Sequence, residues 1–351
     1  MLEGWRQDGS GAWYYLTPGQ GALQTNSWLL YKNQWYYLGS DGKMLTDSRT
    51  PDGYLVNKEG IWIDKKKLLF SFSLAAVGIA AAALFESERE RRSLIVRHYA
   101  LRSAKIKRAR RIVYLSDFHE RRLGDIEERL HLETKRLKPD YIFLGGDMVT
   151  AKHGASIEAT LALTERLVKL APVFYGEGNH EARLDRDRGR YGNLFDELQA
   201  GLESQGVRYL SDETVLLGED LALSGLHITE NYYKRAPHDE MEVDYLRAHL
   251  GEANAEHFQL LFAHSPAFFN AYARWGADLS LSGHWHGGTV RLPGNIGLMT
   301  PQAEFFRRPA SGLFFRGRHA MLLSPGIGTH SINLRFLNLP ELMVLDLKEG
   351  V

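Results

Sequence analysis

Five short apolar runs in this chain each end in residues able to hold a metal. "RIVYLS" leads into Asp117 and His119, "DYIFLGG" into Asp147, and "PVFYGEG" into Asn179, His180 and Glu181. "FQLLFA" leads into His264, and "ADLSLSG" into His284 and His286. Helical stretches separate the runs, so from Arg110 onward the pattern is that of a layered α/β domain. With the runs as strands of buried sheets, these side chains all emerge at strand C-terminal ends, the edge where open α/β sheets hold their sites. Residues i and i+2 share a strand face, so Asp117 with His119, and His284 with His286, are expected to face one way. Gly145, Gly146, Gly178 and Gly283 permit tight turns and close backbone approach around a crowded site.

Each piece alone has an ordinary reading. "GGD" is commonly a turn with a helix cap, and a lone His264 is commonly a satisfied buried histidine. The combination, in order and each piece closing an apolar run, is hard to obtain by chance. The chain has no cysteine, which excludes disulfides, thiolate catalysis and cysteine-built zinc sites. A metal here must be held by His, Asp, Glu and Asn, a nitrogen and oxygen set suited to Mn, Fe, Zn or Ni. Lys plus Arg equals Asp plus Glu at 43 each, so global charge gives no reason to expect nucleic acid.

The composition changes near residue 64. Before it, Trp13-Tyr14-Tyr15 recurs as Trp35-Tyr36-Tyr37, Trp5 and Trp28 precede the two copies, and "PDGYLVNKEGIWI" reads as a degenerate third unit. Such a period, with aromatic strands and Gly turns, indicates a short β-repeat array that buries its faces by stacking. Its aromatics either glue neighbouring hairpins or form cages for a cationic or sugar ligand. These motifs resemble the choline-binding, cell-wall-binding repeats of Gram-positive surface proteins. The resemblance implies attachment to wall choline or polysaccharide through residues 1–64.

Residues 65–86 are expected to form a transmembrane or signal-anchor helix, because 68–85 are uncharged and mostly apolar between Lys65–Lys67 and Arg89. Residues 87–109 read as a basic connector, and 110–351 as the α/β domain that carries the candidate ligands. The basic flank after the helix favours an inside C-terminal part, whereas a short basic start such as Lys65–Lys67 is expected to send that part outside.

Together the motifs D-x-H, GGD, GNHE, H and GHWH resemble the calcineurin-like metallophosphoesterase superfamily. The tail "LLSPGIGTHSINLRFLNLPELMVLDL" is similar to a bacterial membrane-associated branch grouped with UDP-2,3-diacylglucosamine pyrophosphatase-like phosphodiesterases. The resemblance implies a four-layer α/β/β/α sandwich and two divalent metal ions. Asp117, His119 and His286 would hold one ion, Asn179, His264 and His284 the other, and Asp147 would bridge them. His180 would face the substrate as general acid or as a stabiliser of transition-state charge, and Glu181 would orient His180 or lie in solvent. Phe118 and Trp285, between ligands, would shape the pocket floor. The implied activity is hydrolysis of a phosphodiester or pyrophosphate, on an envelope or lipid-linked phosphoester, by hydroxide activated between two metals. A phosphomonoesterase, a cyclic-nucleotide phosphodiesterase, and a wall-attached scaffold with an inactive domain are the alternatives. Tyr232, Tyr233 and Lys234, within a segment 230–256 that could cover the site, are candidate substrate contacts, and His153, His227 and His330 are looser candidates.

Overall fold

The computed structural model describes residues 2–119, 125–234, 240–329 and 333–350, the side chain of Ser71 aside. The chain divides into two units, residues 1–82 and 83–351.

The first unit is built from hairpins. Gly4–Gln7 pairs with Trp13–Leu16, Ser27–Tyr31 with Gln34–Leu38, and Ser48–Arg49 with Leu55–Val56. The middle hairpin turns on Lys32 and Asn33, both at positive φ (47° and 65°), the twist-compatible form of a two-residue β-turn. Trp5 meets Trp13, Tyr15, Tyr31 and Tyr36 edge-on, at centroid distances of 6.3, 5.3, 6.1 and 5.2 Å, so this ring glues two hairpins together.

The helix Lys65–Arg91 follows. Its most apolar stretch has a mean hydropathy of 2.3 and none of that stretch is buried. The helix runs past the expected end at 86, and its last turns belong to the second unit. Ser87 and Glu90 are buried there: Ser87 Oγ accepts from the Arg335 amide at 3.0 Å, and Glu90 from the amides of Leu337 and Asn338 at 2.8 and 2.9 Å. The stretch read as a basic connector therefore starts as helix and continues as strand Ile95–Ser103.

Two six-stranded sheets form the second unit. The first, in spatial order, runs Arg208–Leu210, Val173–Gly176, Tyr141–Leu144, Arg110–Leu115, Glu341–Glu349 and Ile95–Ser103. Its first four strands are parallel, and Glu341–Glu349 runs antiparallel to Arg110–Leu115. The second runs Glu213–Leu217, Leu221–Gly225, Phe258–Phe262, Leu279–Ser282, His319–Leu323 and Gly312–Arg316, with the middle four parallel. Strands such as Phe258–Phe262 are buried at every residue, which is why they read as continuous apolar runs rather than alternating ones.

Three cores account for that burial. One, including Ile112, Tyr114, Phe143, Leu260, Leu281 and Leu345, draws on both sheets. A second joins the first sheet to the helices Asp125–Leu137, Glu158–Leu167 and Leu194–Ser204 through residues such as Ile126, Leu163 and Leu198. A third joins the second sheet to the helices Val243–Leu250 and Phe269–Trp275 through Leu246 and Tyr272.

Candidate metal centre

The residues singled out in sequence leave the carboxyl ends of five parallel strands. Arg110–Leu115, Tyr141–Leu144 and Val173–Gly176 are neighbours in the first sheet, and Phe258–Phe262 and Leu279–Ser282 are neighbours in the second. The loops after them meet. Asp117, His119, Asp147, Asn179, His180, His264, His284 and His286 are all buried, none more than 8 % exposed.

Their common facing comes from the loops rather than from strand alternation. Asp117, His119, Asp147, His284 and His286 lie beyond the last strand residues, at φ values of 54°, 53°, 52°, 63° and 50°. Left-handed backbone at five non-glycine residues is costly and clusters at functional sites, where the surroundings enforce it. Here the loops hold one another: the amides of Asp117 and His119 donate to the carbonyls of Gly146 and Asp147 at 2.9 and 3.1 Å. Gly178 and Gly283 allow that approach. A Cβ on Gly178 would lie 2.3 Å from the Asp147 amide nitrogen, and one on Gly283 would lie 2.3 Å from Asp117 Oδ2.

Ligand-type atoms converge in three overlapping groups: Asp117, His119 and His286; His119, Asp147 and His180; and Asp147, His264 and His284. His119 Nε2 and His286 Nε2 are 3.0 Å apart with their rings stacked, and His286 Nε2 is 3.2 Å from Asp117 Oδ1. On the other side His264 Nε2 is 3.1 Å from Asp147 Oδ2. The His264 Nδ1–H donates to the Gly145 carbonyl at 2.8 Å, because that oxygen can only accept, and this leaves Nε2 as the lone-pair nitrogen of the neutral ring. His264 Nε2, Asp147 Oδ2 and Asn179 Oδ1 are buried without a hydrogen bond. Buried polar atoms left so are costly, and a divalent cation satisfies them. The donor set, imidazole nitrogens with carboxylate and amide oxygens, fits such a cation.

The charge balance fits a cation too. Burial pushes the Asp117 carboxyl up to about 6, against the attraction of His264. For Asp147, burial acts in the same direction but the His264 and His180 imidazoles outweigh it and hold the carboxyl well below its usual range. Without an ion His264 is itself held up at about 10, where the Asp147 and Asp117 carboxylates overcome burial, so a proton occupies Nε2 where a cation would otherwise take the lone pair of the neutral ring.

Glu181 neither orients His180 by its carboxylate nor lies in solvent. It is fully buried, and its oxygens accept from the amides of Asp147, Met148, Val149 and Gly178 at 2.8, 2.9, 3.3 and 3.0 Å and from the Tyr175 hydroxyl at 2.7 Å. It fixes the Asp147 turn. Phe118 packs in the core under the first sheet's helices, whereas Trp285, in the core behind the second sheet, also lines a cavity there with Pro266, Phe269 and Phe314.

The looser candidates divide. The Tyr233 ring lies 4.9 Å from that of His284 and lines a cavity beside the centre. Tyr232 packs instead on Tyr245 and Phe268, and Lys234 and His153 are exposed. His227 bonds through Nδ1 to the buried Glu177, which raises its pKa. His330 and residues 235–239 of the covering segment lie outside the described residues.

Arg335 was not foreseen. It is 1 % exposed and donates to the carbonyls of Pro325, Gly326, Gly328 and Asn338. That loop in turn donates from Ile327 and Gly328 to the carbonyls of Ser116 and Asp117. Burial pulls the guanidinium down to about 9. A basic residue in an apolar tail was its only sequence signal.

The first unit holds a separate cavity of about 370 Å³ lined by Trp28, Trp35, Asp52, Tyr54 and Trp62. Trp28 Nε1 donates to Asp52 Oδ2 at 2.8 Å, and Tyr54 meets Trp28 and Trp62 edge-on at 5.7 and 5.9 Å. Aromatic faces beside a carboxylate suit a quaternary ammonium ion.

Known proteins match both the repeats and the α/β domain. Residues 22–62 match the choline-binding repeat family, and residues 3–22 match the putative cell wall binding repeat. The repeats are similar to the choline binding domain of Spr1274 from Streptococcus pneumoniae, at 36% identity over 18% of this chain and 74% of that one, with a TM-score of 0.17. The remainder is similar to phosphodiesterase YaeI of Escherichia coli, at 27% identity over 68% of this chain and 82% of that protein. It is also similar to the uncharacterized metallophosphoesterase YkoQ of Bacillus subtilis, at 26% identity over 66% and 80%. Residues 110–288, more than half of the chain, match the calcineurin-like phosphoesterase family. The chain belongs to that family, a metallophosphoesterase that hydrolyses phosphoric esters and carries choline-binding repeats at its N-terminal end.

Proposed function

We propose that this protein is a phosphodiesterase or pyrophosphatase with a dinuclear metal centre, acting on an envelope or lipid-linked phosphoester. The convergence of Asp117, His119, Asp147, His180, His264, His284 and His286 from five strand ends, with the buried Asn179 Oδ1 left without a hydrogen bond, carries the reading. Asp117, His119 and His286 would hold one divalent ion and Asn179, His264 and His284 the other, with Asp147, which belongs to two of the converging groups, available to both. Bound divalent ions of this kind supply Lewis-acid charge for phosphoryl oxygens and lower the pKa of coordinated water.

The chain's own residues do the rest. His180 Nδ1 accepts from the Ala151 amide at 2.8 Å, so in the neutral ring Nε2 carries the proton. His180 is then a fixed donor to a phosphoryl or leaving oxygen, and coordination through Nε2 would cost it that proton. Its amide donates to Asp147 Oδ1 at 2.8 Å, which ties the donor to the Asp147 carboxylate. Such preorganised donors stabilise charge that develops in the transition state.

The exposed apolar helix Lys65–Arg91, long enough to cross a bilayer, anchors the protein in the membrane. The aromatic cavity of the repeats holds wall choline, and the match to choline-binding repeats supports a cell-envelope location. The test is a panel of aryl phosphodiesters, phosphomonoesters, cyclic nucleotides and nucleotide-linked lipids with added Mn²⁺. His180→Ala lowers kcat by about 100–1000-fold with metal content unchanged. Loss of metal from that variant would make His180 a ligand. Bound metal without turnover of any ester would favour a scaffold.

A further inference from the structure

We propose that the cavity beside the metal centre binds a second anionic group of the substrate, a phosphate or similar oxyanion, through Arg183. This rests on the phosphoesterase reading above and narrows its substrate class. The cavity, about 310 Å³, is lined by Asn179, Ala182, Arg183, Arg186, His227 and Tyr233, among others. Four of these lie on one helix, Asn179–Arg186. Residues i and i+4 share a helix face, so the face that carries Asn179 to the centre carries Arg183 one turn further, a rise of about 6 Å.

The other charges at this cavity are already matched. Glu230 pairs with Arg186, Asp185 with Arg188 at 2.5 Å, and His227 with Glu177. Arg186 also binds Asp187 at 2.7 Å. Arg183 is half-buried, and among the described residues its guanidinium makes no hydrogen bond or ion pair. A guanidinium left unmatched in a concave site suits a bidentate oxyanion. Ala182 and Ile228 supply an apolar wall for a short linker. The ligand class is therefore an ester that carries a second phosphate or phosphonate a short linker away from the scissile phosphate.

Two readouts on the full, Mn²⁺-loaded chain test this. The first compares kcat/KM for p-nitrophenyl 2-phosphonoethyl phosphate with that for a shape analogue lacking the second anionic group, p-nitrophenyl 3,3-dimethylbutyl phosphate. The protein favours the doubly anionic ester about 10- to 100-fold, and Arg183→Ala and Arg183→Gln collapse that preference through KM. The second is calorimetric titration with propane-1,3-diphosphonate against propylphosphonate, with the same preference and the same loss. If neither ester turns over but the diphosphonate preference is present and Arg183-dependent, the functional reading falls and the anion site stands. A protein that does not distinguish the paired ligands, or variants that weaken both members of a pair equally, overturns the proposal.

Discussion

Glu181→Gln separates a structural tie from a solvated surface carboxylate. In the native chain Oε2 accepts from the amides of Asp147 and Gly178, and Oε1 from Met148, Val149 and the Tyr175 hydroxyl. Glutamine keeps one acceptor and places an NH₂ where the other stood. The less costly orientation puts the NH₂ at the Oε2 position and leaves two buried amides facing a donor. Each unsatisfied buried amide costs about 1–3 kcal/mol. The repulsion between Glu181 and buried Asp147 is relieved, which offsets part of that. The net is about 3 kcal/mol, equivalent to a fall in Tm of about 6–12 °C for a domain of this size. The assay is calorimetric unfolding of the full chain in detergent with chelator present, so that metal release does not contribute. Because the Asp147 turn loosens, metal affinity also falls. A Tm within about 2 °C of the native protein, with native metal affinity, would refute the reasoning.

Other outcomes follow from the same contacts. Arg335→Lys replaces a planar fork bonded to four carbonyls by a point charge, and lowers stability by about 2–3 kcal/mol in denaturant titration. Asp220→Ala leaves the buried Arg110 without its carboxylate and costs about 3–5 kcal/mol near neutral pH. Burial opposes the Asp220 charge, but Arg110 and the Lys107 amide hold its pKa below the ordinary 3.8. The native advantage over Asp220→Ala is therefore present above pH 3.8 and lost as pH falls below it, which Tm measured against pH reports. Trp62→Ala opens one wall of the aromatic cavity and weakens retention on immobilised choline, while leaving phosphoester hydrolysis in place.

The strands of the site were legible because they are buried on both faces, so "YIFL" and "FQLLF" stand out as continuous apolar runs. The convergence of ligand-type residues at their ends was legible for the same reason. The cause of that convergence was not. Strand alternation predicts shared facing, whereas Asp117 and His284 lie past the strands on left-handed backbone that only cross-loop bonds enforce. Strand Ile95–Ser103 was hidden because it is an edge strand. Its exposed Arg97, His98 and Arg102 read as a solvated connector, and its pairing depends on Glu341–Glu349, far away in sequence. Glu181 and Arg335 act on backbone brought to them by the fold, which no local pattern announces. In the repeats, period and composition located the hairpins, but only the packing separates Trp5, which glues, from Trp28, Trp35 and Trp62, which line a cavity.

If seven side chains hold two ions that drive phosphodiester hydrolysis, metal content and turnover rise together. Metal analysis of the purified chain, run beside hydrolysis of bis(p-nitrophenyl) phosphate after chelation and stepwise Mn²⁺ return, measures both. The expected result is that activity is lost on chelation, returns as metal is restored, and saturates at two ions per chain, while Asp147→Asn neither binds the pair nor turns over. Full activity in the chelated protein, or activity that saturates with Asp147→Asn as it does with the native chain, would contradict it.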